Sequence, residues 1–402
     1  MTVRRTSVLV LLGLVLLSFN LRPAAVSVGP VLAEVRAGLG MSAPAAGLLT
    51  SLPVLAFALF GALAPWFARR LGVHRVTLLA LLAVVAGLGG RAVVSAAPEF
   101  LALSMLALAG MAMANVLLPS LVKLHFPHRI GLVTAIYTTA LAIGLTGALT
   151  LTVPIAEAYG GWRVGLGTWA LVALLAAIPW LGLVAHDRAL ERAPRGIRFL
   201  DVARTRLGLS MALFFGLQSL QAYVIFGWFA QLWRDNGFTA AQAGGLVGLV
   251  AAVSIPLSFW APRAAARRDD QRGLLLAVMA CYPVGYLGLM VAPHAWALLW
   301  AVFVGIGAVT FPIVLTLIGL RSRTPDGTAA LSGLTQSLGY LIAAVGPFAV
   351  GLLYEATGGW TWPLALLIAL TLPQMLLGLY VARPNLIEDQ LAAQTTARGS
   401  SF

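Results

Sequence analysis

Of 402 residues, 60% are hydrophobic and only 10% charged, against the roughly 25% charged residues of ordinary soluble domains, so a water-soluble globular protein is excluded. The net charge of +13 comes from 25 arginines and one lysine against 13 acids, and no basic stretch stands free of apolar neighbours or is interleaved with aromatics, as nucleic-acid binding would require. The single cysteine, Cys281, excludes an internal disulfide and gives no metal site.

Twelve apolar runs follow one another with short links, at about 6–35, 43–68, 74–95, 98–123, 130–157, 162–184, 206–233, 240–262, 273–292, 295–319, 328–355 and 362–382. A helix crosses a bilayer core with about 20 residues, so each run is long enough. The runs are continuous rather than alternating, which predicts helices and not a barrel. The first opens like a signal peptide, with Arg4 and Arg5 ahead of Val8–Leu17, yet it runs on to Ala33 without a good cleavage site. It is read as predicted helix 1. From Ser7 to Ala33 its only charge is Arg22, which falls near mid-depth, where a charge costs between ~2.5 and more than ~10 kcal/mol unless it faces a wet or polar interior. An arginine there stays protonated. It reads most simply as an anion-binding group; a structural arginine satisfied by helix ends or by Asn20 is the alternative.

Placing both termini in the cytoplasm puts 21 of the 26 basic residues on that side, leaving only Arg22, Arg36, Arg91, Arg163 and Arg234 elsewhere. This is the positive-inside pattern, and the charge is then a topology signal and an attraction to anionic membrane lipid. The longest internal polar stretch, 186–205, reads as a solvated cytoplasmic linker between bundles at 1–185 and 206–383; the segment 198–204 has the makings of a short surface helix. The polar tail 384–402 reads as disordered.

The two bundles look like copies. At an offset of 197–198 residues, Glu157-Ala-Tyr-Gly-Gly-Trp162 matches Glu355-Ala-Thr-Gly-Gly-Trp360, Ser42–Gly47 matches Thr239–Gly244, Ala64-Pro65 with Arg69-Arg70 recurs as Ala261-Pro262 with Arg267-Arg268, and Pro127 recurs as Pro325. Six helices per copy is even, so both have the same orientation about an axis along the membrane normal. The expected fold class is therefore an all-α membrane protein, twelve transmembrane helices in two parallel-repeat halves with both termini cytoplasmic.

Enzyme chemistry finds no footing. His74, His125, His128, His186 and His294 all fall in loops or at helix ends, and no phosphate-cradling glycine loop or hydrolase or metalloprotease motif occurs. No cofactor, metal or ATP-binding domain is expected. None of the acids sits near mid-membrane, where proton relays are commonly built; Glu34 at an outer end is the one candidate for gating or coupling. The uncharged polar residues near mid-depth are the candidates for substrate contact: Asn20 beside Arg22, Asn115 on helix 4, Tyr137 on helix 5, Gln218 and Gln221 on one face of helix 7, and Gln336 with Tyr340 on one face of helix 11. Each has packing between helices as its alternative use.

At Asn20-Leu-Arg-Pro-Ala-Ala-Val-Ser-Val-Gly-Pro30, Asn115-Val-Leu-Leu-Pro-Ser-Leu-Val-Lys123, Phe214–Gln221 and Leu331–Tyr340 the chain resembles the cyanate/nitroimidazole transporter family of the major facilitator superfamily. The likeness runs over essentially the whole chain. It implies the rocker fold, a multi-pass place in the inner membrane, and a small substrate bound between the halves. The superfamily's acidic loop motif between helices 2 and 3 is replaced here by Gly61-Ala-Leu-Ala-Pro65. Residues and resemblance together predict a monomeric secondary transporter of a small monovalent anion, cyanate-like, recognised by Arg22. One deep cation suits a monoanion, since the position matching Arg22 in the second copy is Leu220. An exporter of drug-like compounds such as nitroimidazoles, proton-coupled or not, is the rival, and a nontransporting sensor the more distant one.

Overall fold

The computed structural model describes residues 3–41, 43–184, 197 and 199–399. Twelve of its helices are long and apolar enough to cross a membrane: Val8–Val31, Leu52–Leu71, Val73–Val93, Ala97–His125, Pro127–Tyr159, Trp162–Val184, Arg206–Asp235, Gln242–Ala266, Arg272–Val291, Ala297–Leu320, Pro325–Thr357 and Thr361–Val381. They are called spans 1 to 12 in chain order.

The chain divides into two compact units. Unit 1 holds Met1–His128, Ile136–Phe199 and Thr324–Gly333; unit 2 holds Arg129–Ala135, Leu200–Arg323 and Leu334–Phe402. Inside unit 1, glycines let backbones touch, as membrane helices without a hydrophobic driving force need. A Cβ on Gly110 of span 4 would overlap the Ala80 carbonyl of span 3, and one on Gly87 of span 3 would lie 2.5 Å from Ala107 N of span 4. Trp180 of span 6 is fully buried, with Gly13 of span 1 against its ring. Unit 2 packs larger surfaces: Phe229, Trp233, Tyr282 and Tyr286 are all buried, and Tyr282 and Tyr286 stack at 5.6 Å between centroids.

The duplicated landmarks have physical uses. In Glu-Ala-x-Gly-Gly-Trp, the glycine after the helix takes a positive φ, 100° at Gly160 and 65° at Gly358, which a residue with a Cβ resists. The tryptophan then reaches back. Trp360 Nε1 donates to Asp235 Oδ2 at 2.8 Å; in unit 1 the matching Trp162 lies against Gly38, whose place in the second copy is Asp235. The Ala-Pro pair meets a glycine of another helix in each unit. A Cβ on Gly333 would sit 2.7 Å from Pro65 Cγ, and one on Gly131 would sit 2.7 Å from Pro262 O. Where the superfamily's loop motif carries an acid, this contact is steric.

The tail corrects an expectation. Instead of disorder, Ile387–Gly399 is a helix. Ile387 is fully buried, Gln390 Oε1 accepts from Leu207 N at 3.0 Å, and Asp389 pairs with Arg323 at 2.6 Å. Its first turn carries Glu388 and Asp389, where acids favour a helix N-terminus. Beneath it Arg321 donates to the carbonyls of Val381 at 2.8 Å and Ala382 at 2.6 Å and to Gln271. Burial pulls the Arg321 guanidinium down to about 10, still a cation at neutral pH. The composition signal failed because one buried isoleucine, one bidentate ion pair and a few single hydrogen bonds anchor a segment that is otherwise polar. In the expected linker, Phe199–Ala203 forms a short helix with Val202 buried and Leu200 exposed; residues 185–196 and 198 lie outside the described residues, as do 400–402 of the tail.

Candidate functional site

Span 1 is not one regular helix. Helical stretches cover Val3–Leu21 and Pro23–Val26, a 3₁₀ turn Gly29–Val31, and a further helix Leu32–Leu39. Pro23 has no N–H, so the ladder bond that would fall on the Phe19 carbonyl cannot form. Helix backbone from span 5 fills the place: a Cβ on Gly144 would overlap Phe19 O and lie 2.8 Å from its carbon. Arg22 sits at this break, its own carbonyl accepting from Ala25 N at 3.0 Å and Val26 N at 3.1 Å.

A helix turns about 100° per residue, which sorts the neighbours of Arg22. Val15, Phe19, Arg22 and Val26 fall on one stripe, and all are partly exposed, whereas Leu14, Leu17, Leu21 and Ala24 are buried. Arg22 thus lies along the least covered line of its span. Asn20, two residues away, points about 200° round. It is buried, its Nδ2 donates to Leu16 O at 2.8 Å, and its Oδ1 has no hydrogen-bond partner among the described residues. The structure does not bring Asn20 to Arg22.

The face of span 1 opposite Arg22 meets a buried arginine of span 3, one of the five basic residues that fall off the cytoplasmic side in the sequence. Arg91 is 1% exposed. Its Nη2 donates to Ser27 Oγ at 2.8 Å and its Nη1 to Ala24 O at 3.3 Å; Ser27 Oγ in turn donates to Pro23 O at 2.6 Å. The signal available was its place among the five arginines off the basic side, after the glycine-rich stretch Gly87-Leu-Gly-Gly90 that permits close helix approach.

Gln218 and Gln221 do share a face, and that face looks into unit 2. Gln218 Nε2 donates to Tyr282 OH at 2.9 Å, Gln374 Nε2 donates to Gln218 Oε1 at 2.8 Å, and Tyr286 OH donates to Gln221 Oε1 at 2.7 Å. Gln221 Nε2 reaches Leu367 O at 3.3 Å and Gln374 Oε1 at 3.4 Å. The five side chains tie spans 7, 9 and 12 together, and all are buried. Tyr286→Phe, which leaves Gln221 Oε1 short of a donor, is expected to cost about 1–3 kcal/mol and lower the melting temperature while leaving anion half-saturation unchanged. Thermal unfolding in detergent with and without cyanate checks it.

The remaining candidates fall in both units. Asn115 in span 4 and Tyr137 in span 5 are buried in unit 1. Gln336 is fully buried in unit 2, where Tyr340 packs edge-on to Phe215 at 5.1 Å and against the half-buried Tyr223 at 6.2 Å. Glu34 is exposed on the helix Leu32–Leu39, beyond span 1. Two histidines that the sequence scattered come together: His74 Nε2 and His125 Nε2 are 2.7 Å apart, so one ring donates and the other accepts.

The comparisons agree with this architecture. A Major Facilitator Superfamily profile matches residues 9–341. The chain is 38% identical over 360 residues to the uncharacterized transporter YycB of Bacillus subtilis (strain 168), covering 89% of each. It is 33% identical over 381 residues to the 2-nitroimidazole transporter of Escherichia coli (strain K12), covering 94% of this chain and 96% of that one. To the cyanate transport protein CynX of the same organism it is 28% identical over 351 residues, covering 87% and 91%. The solved structure of the proton:xylose symporter XylE shares the fold, with a TM-score of 0.73, 14% identity and 98% of each chain covered. Twelve spans, an internal duplication and these relatives lead to one conclusion: the chain belongs to the major facilitator superfamily, a multi-pass membrane transport protein and not an enzyme.

Proposed function

We propose that the protein is a secondary transporter of a small monovalent anion of the cyanate type, with Arg22 recognising the charge. The observation that carries the reading is Arg22 itself: the only charged residue of span 1, permanently cationic, set at a helix break on the span's least covered stripe. Arg91 is a second cation on a neighbouring span, but its donors go to neutral backbone and hydroxyl acceptors on the other face of span 1, so the recognition charge stays single. Thermal shift of the purified protein against cyanate, nitrate, sulfate and 2-nitroimidazole tests this. Stabilisation by the monovalent anions and not by sulfate is expected; stabilisation by 2-nitroimidazole alone would overturn it. That outcome would favour a second reading, an exporter of nitroimidazole-like compounds, which the higher identity to the 2-nitroimidazole transporter supports.

Coupling follows from where the acids are. Span 1 holds no carboxylate, and Glu34 lies exposed beyond it, so facilitated diffusion or anion exchange is the expected mode. Proteoliposomes should then take up labelled cyanate to the same extent with and without an imposed pH gradient. Strong gradient-driven accumulation that persists in Glu34→Gln would refute it. The proposed orientation, arginine-rich ends and both termini in the cytoplasm, has its own check. Cysteines placed at Arg70 and Arg267 in a Cys281→Ala background should react with an impermeant maleimide only in inverted vesicles, and labelling of either in intact cells would reverse the assignment.

A further inference from the structure

We propose that Arg91 is a positioning residue that sets the course of span 1 through Arg22, an inference that rests on the anion reading of Arg22. The stretch from Arg22 to Val31 keeps fewer ladder bonds than a regular helix of its length. Pro23 and Pro30 each remove a ladder donor, and the helix that ends at Val26 resumes only as a 3₁₀ turn at Gly29. Span 3 adds a hold from outside the helix. Arg91 Nη1 takes the Ala24 carbonyl and Nη2 takes Ser27 Oγ, and Ser27 hands the connection on to the Pro23 carbonyl at 2.6 Å, next to Arg22 in the chain. The guanidinium thus grips the far side of the turn that presents Arg22.

Stability alone does not explain such a residue. Among the described residues no carboxylate pairs with Arg91, and its Nε is buried without a hydrogen-bond partner. Replacing a buried charge by an apolar side chain of similar volume is often neutral or stabilising. What a methionine or leucine cannot do is hold two acceptors on one rigid fork, and that is the property put to use here. Fixing the turn from behind puts no Arg91 contact on the face that carries Arg22.

The test uses full-length protein in lipid nanodiscs, with Ser27→Ala and Arg91→Lys as the variants and cyanate as the probe. Ser27→Ala removes one acceptor with little change in volume, and it guards against an Arg91 variant that fails to fold. Amide exchange over residues 22–31 should rise by about three- to tenfold in both, the change expected for one lost hydrogen bond. Half-saturating cyanate should rise by a similar factor while maximal uptake stays within about twofold. In an Arg22→Lys background, the same substitutions should no longer shift half-saturation, because the group being positioned has changed. Unchanged exchange would overturn the clamp. Faster exchange with wild-type half-saturation, or a shift that persists undiminished beside Arg22→Lys, would overturn the positioning role. A wild-type cyanate response in Arg22→Gln would overturn the anion reading instead, so the two failures are told apart.

Discussion

Arg22→Gln is expected to abolish cyanate uptake and the cyanate-induced rise in melting temperature, while the ligand-free protein melts within a few degrees of wild type. A hydrogen bond to a charged group contributes about 1.5–3 kcal/mol, so the loss should weaken binding by about 10- to 100-fold, and glutamine keeps a polar end and the inner part of the side-chain stem that packs in span 1. Arg22→Lys should retain part of the activity, since the ammonium keeps the charge but loses the planar donor fork that matches a flat or linear anion. The partly exposed stripe of Val15, Phe19, Arg22 and Val26 is the reason to expect a functional loss. A scaffold arginine would behave in the opposite way. If Arg22→Gln melts far lower and still responds to cyanate, Arg22 is holding the helix break together and the anion proposal loses its support.

Gly144→Leu is expected to prevent accumulation of folded protein, whereas Gly147→Ala, three residues along the same span, should be tolerated. At Gly144 any Cβ would overlap the Phe19 carbonyl oxygen and approach its carbon at 2.8 Å. Both are backbone atoms, and neither helix can yield without losing the contact that fills the gap left by Pro23. Overpacking costs about 1–3 kcal/mol where side chains can adjust, and more is expected where backbone meets backbone. At Gly147 the nearest atom to a Cβ is Trp169 Cη2 at 3.8 Å, an ordinary contact, and alanine adds up to about 1 kcal/mol of helix propensity. Yield by fluorescence-detected gel filtration and the melting temperature of whatever elutes decide the matter. A stable, monodisperse Gly144→Leu protein would mean that spans 1 and 5 do not meet at Phe19.

Hydropathy and spacing by themselves determined the twelve crossings and the duplication, because both depend only on how apolar and small residues are distributed along the chain. They also singled out Arg22, since a lone charge in an apolar run is conspicuous without coordinates, and the family was legible in Asn20-Leu-Arg-Pro23 and its companion motifs. What they could not supply is direction. A spacing of three places Gln218 and Gln221 on one face of a helix, yet only the partners Tyr282, Tyr286 and Gln374 show that this face looks into unit 2. Adjacency misled at Asn20, where two residues amount to more than half a turn. The same limit hid Arg91, whose meaning lies in contacts 64 and 67 residues away along the chain, and the tail, whose helix is anchored by Ile387 and Gln390 docking on distant elements. A periodic pattern records which residues share a face; which face is buried, and against what, is decided by the packing of helices far apart in sequence.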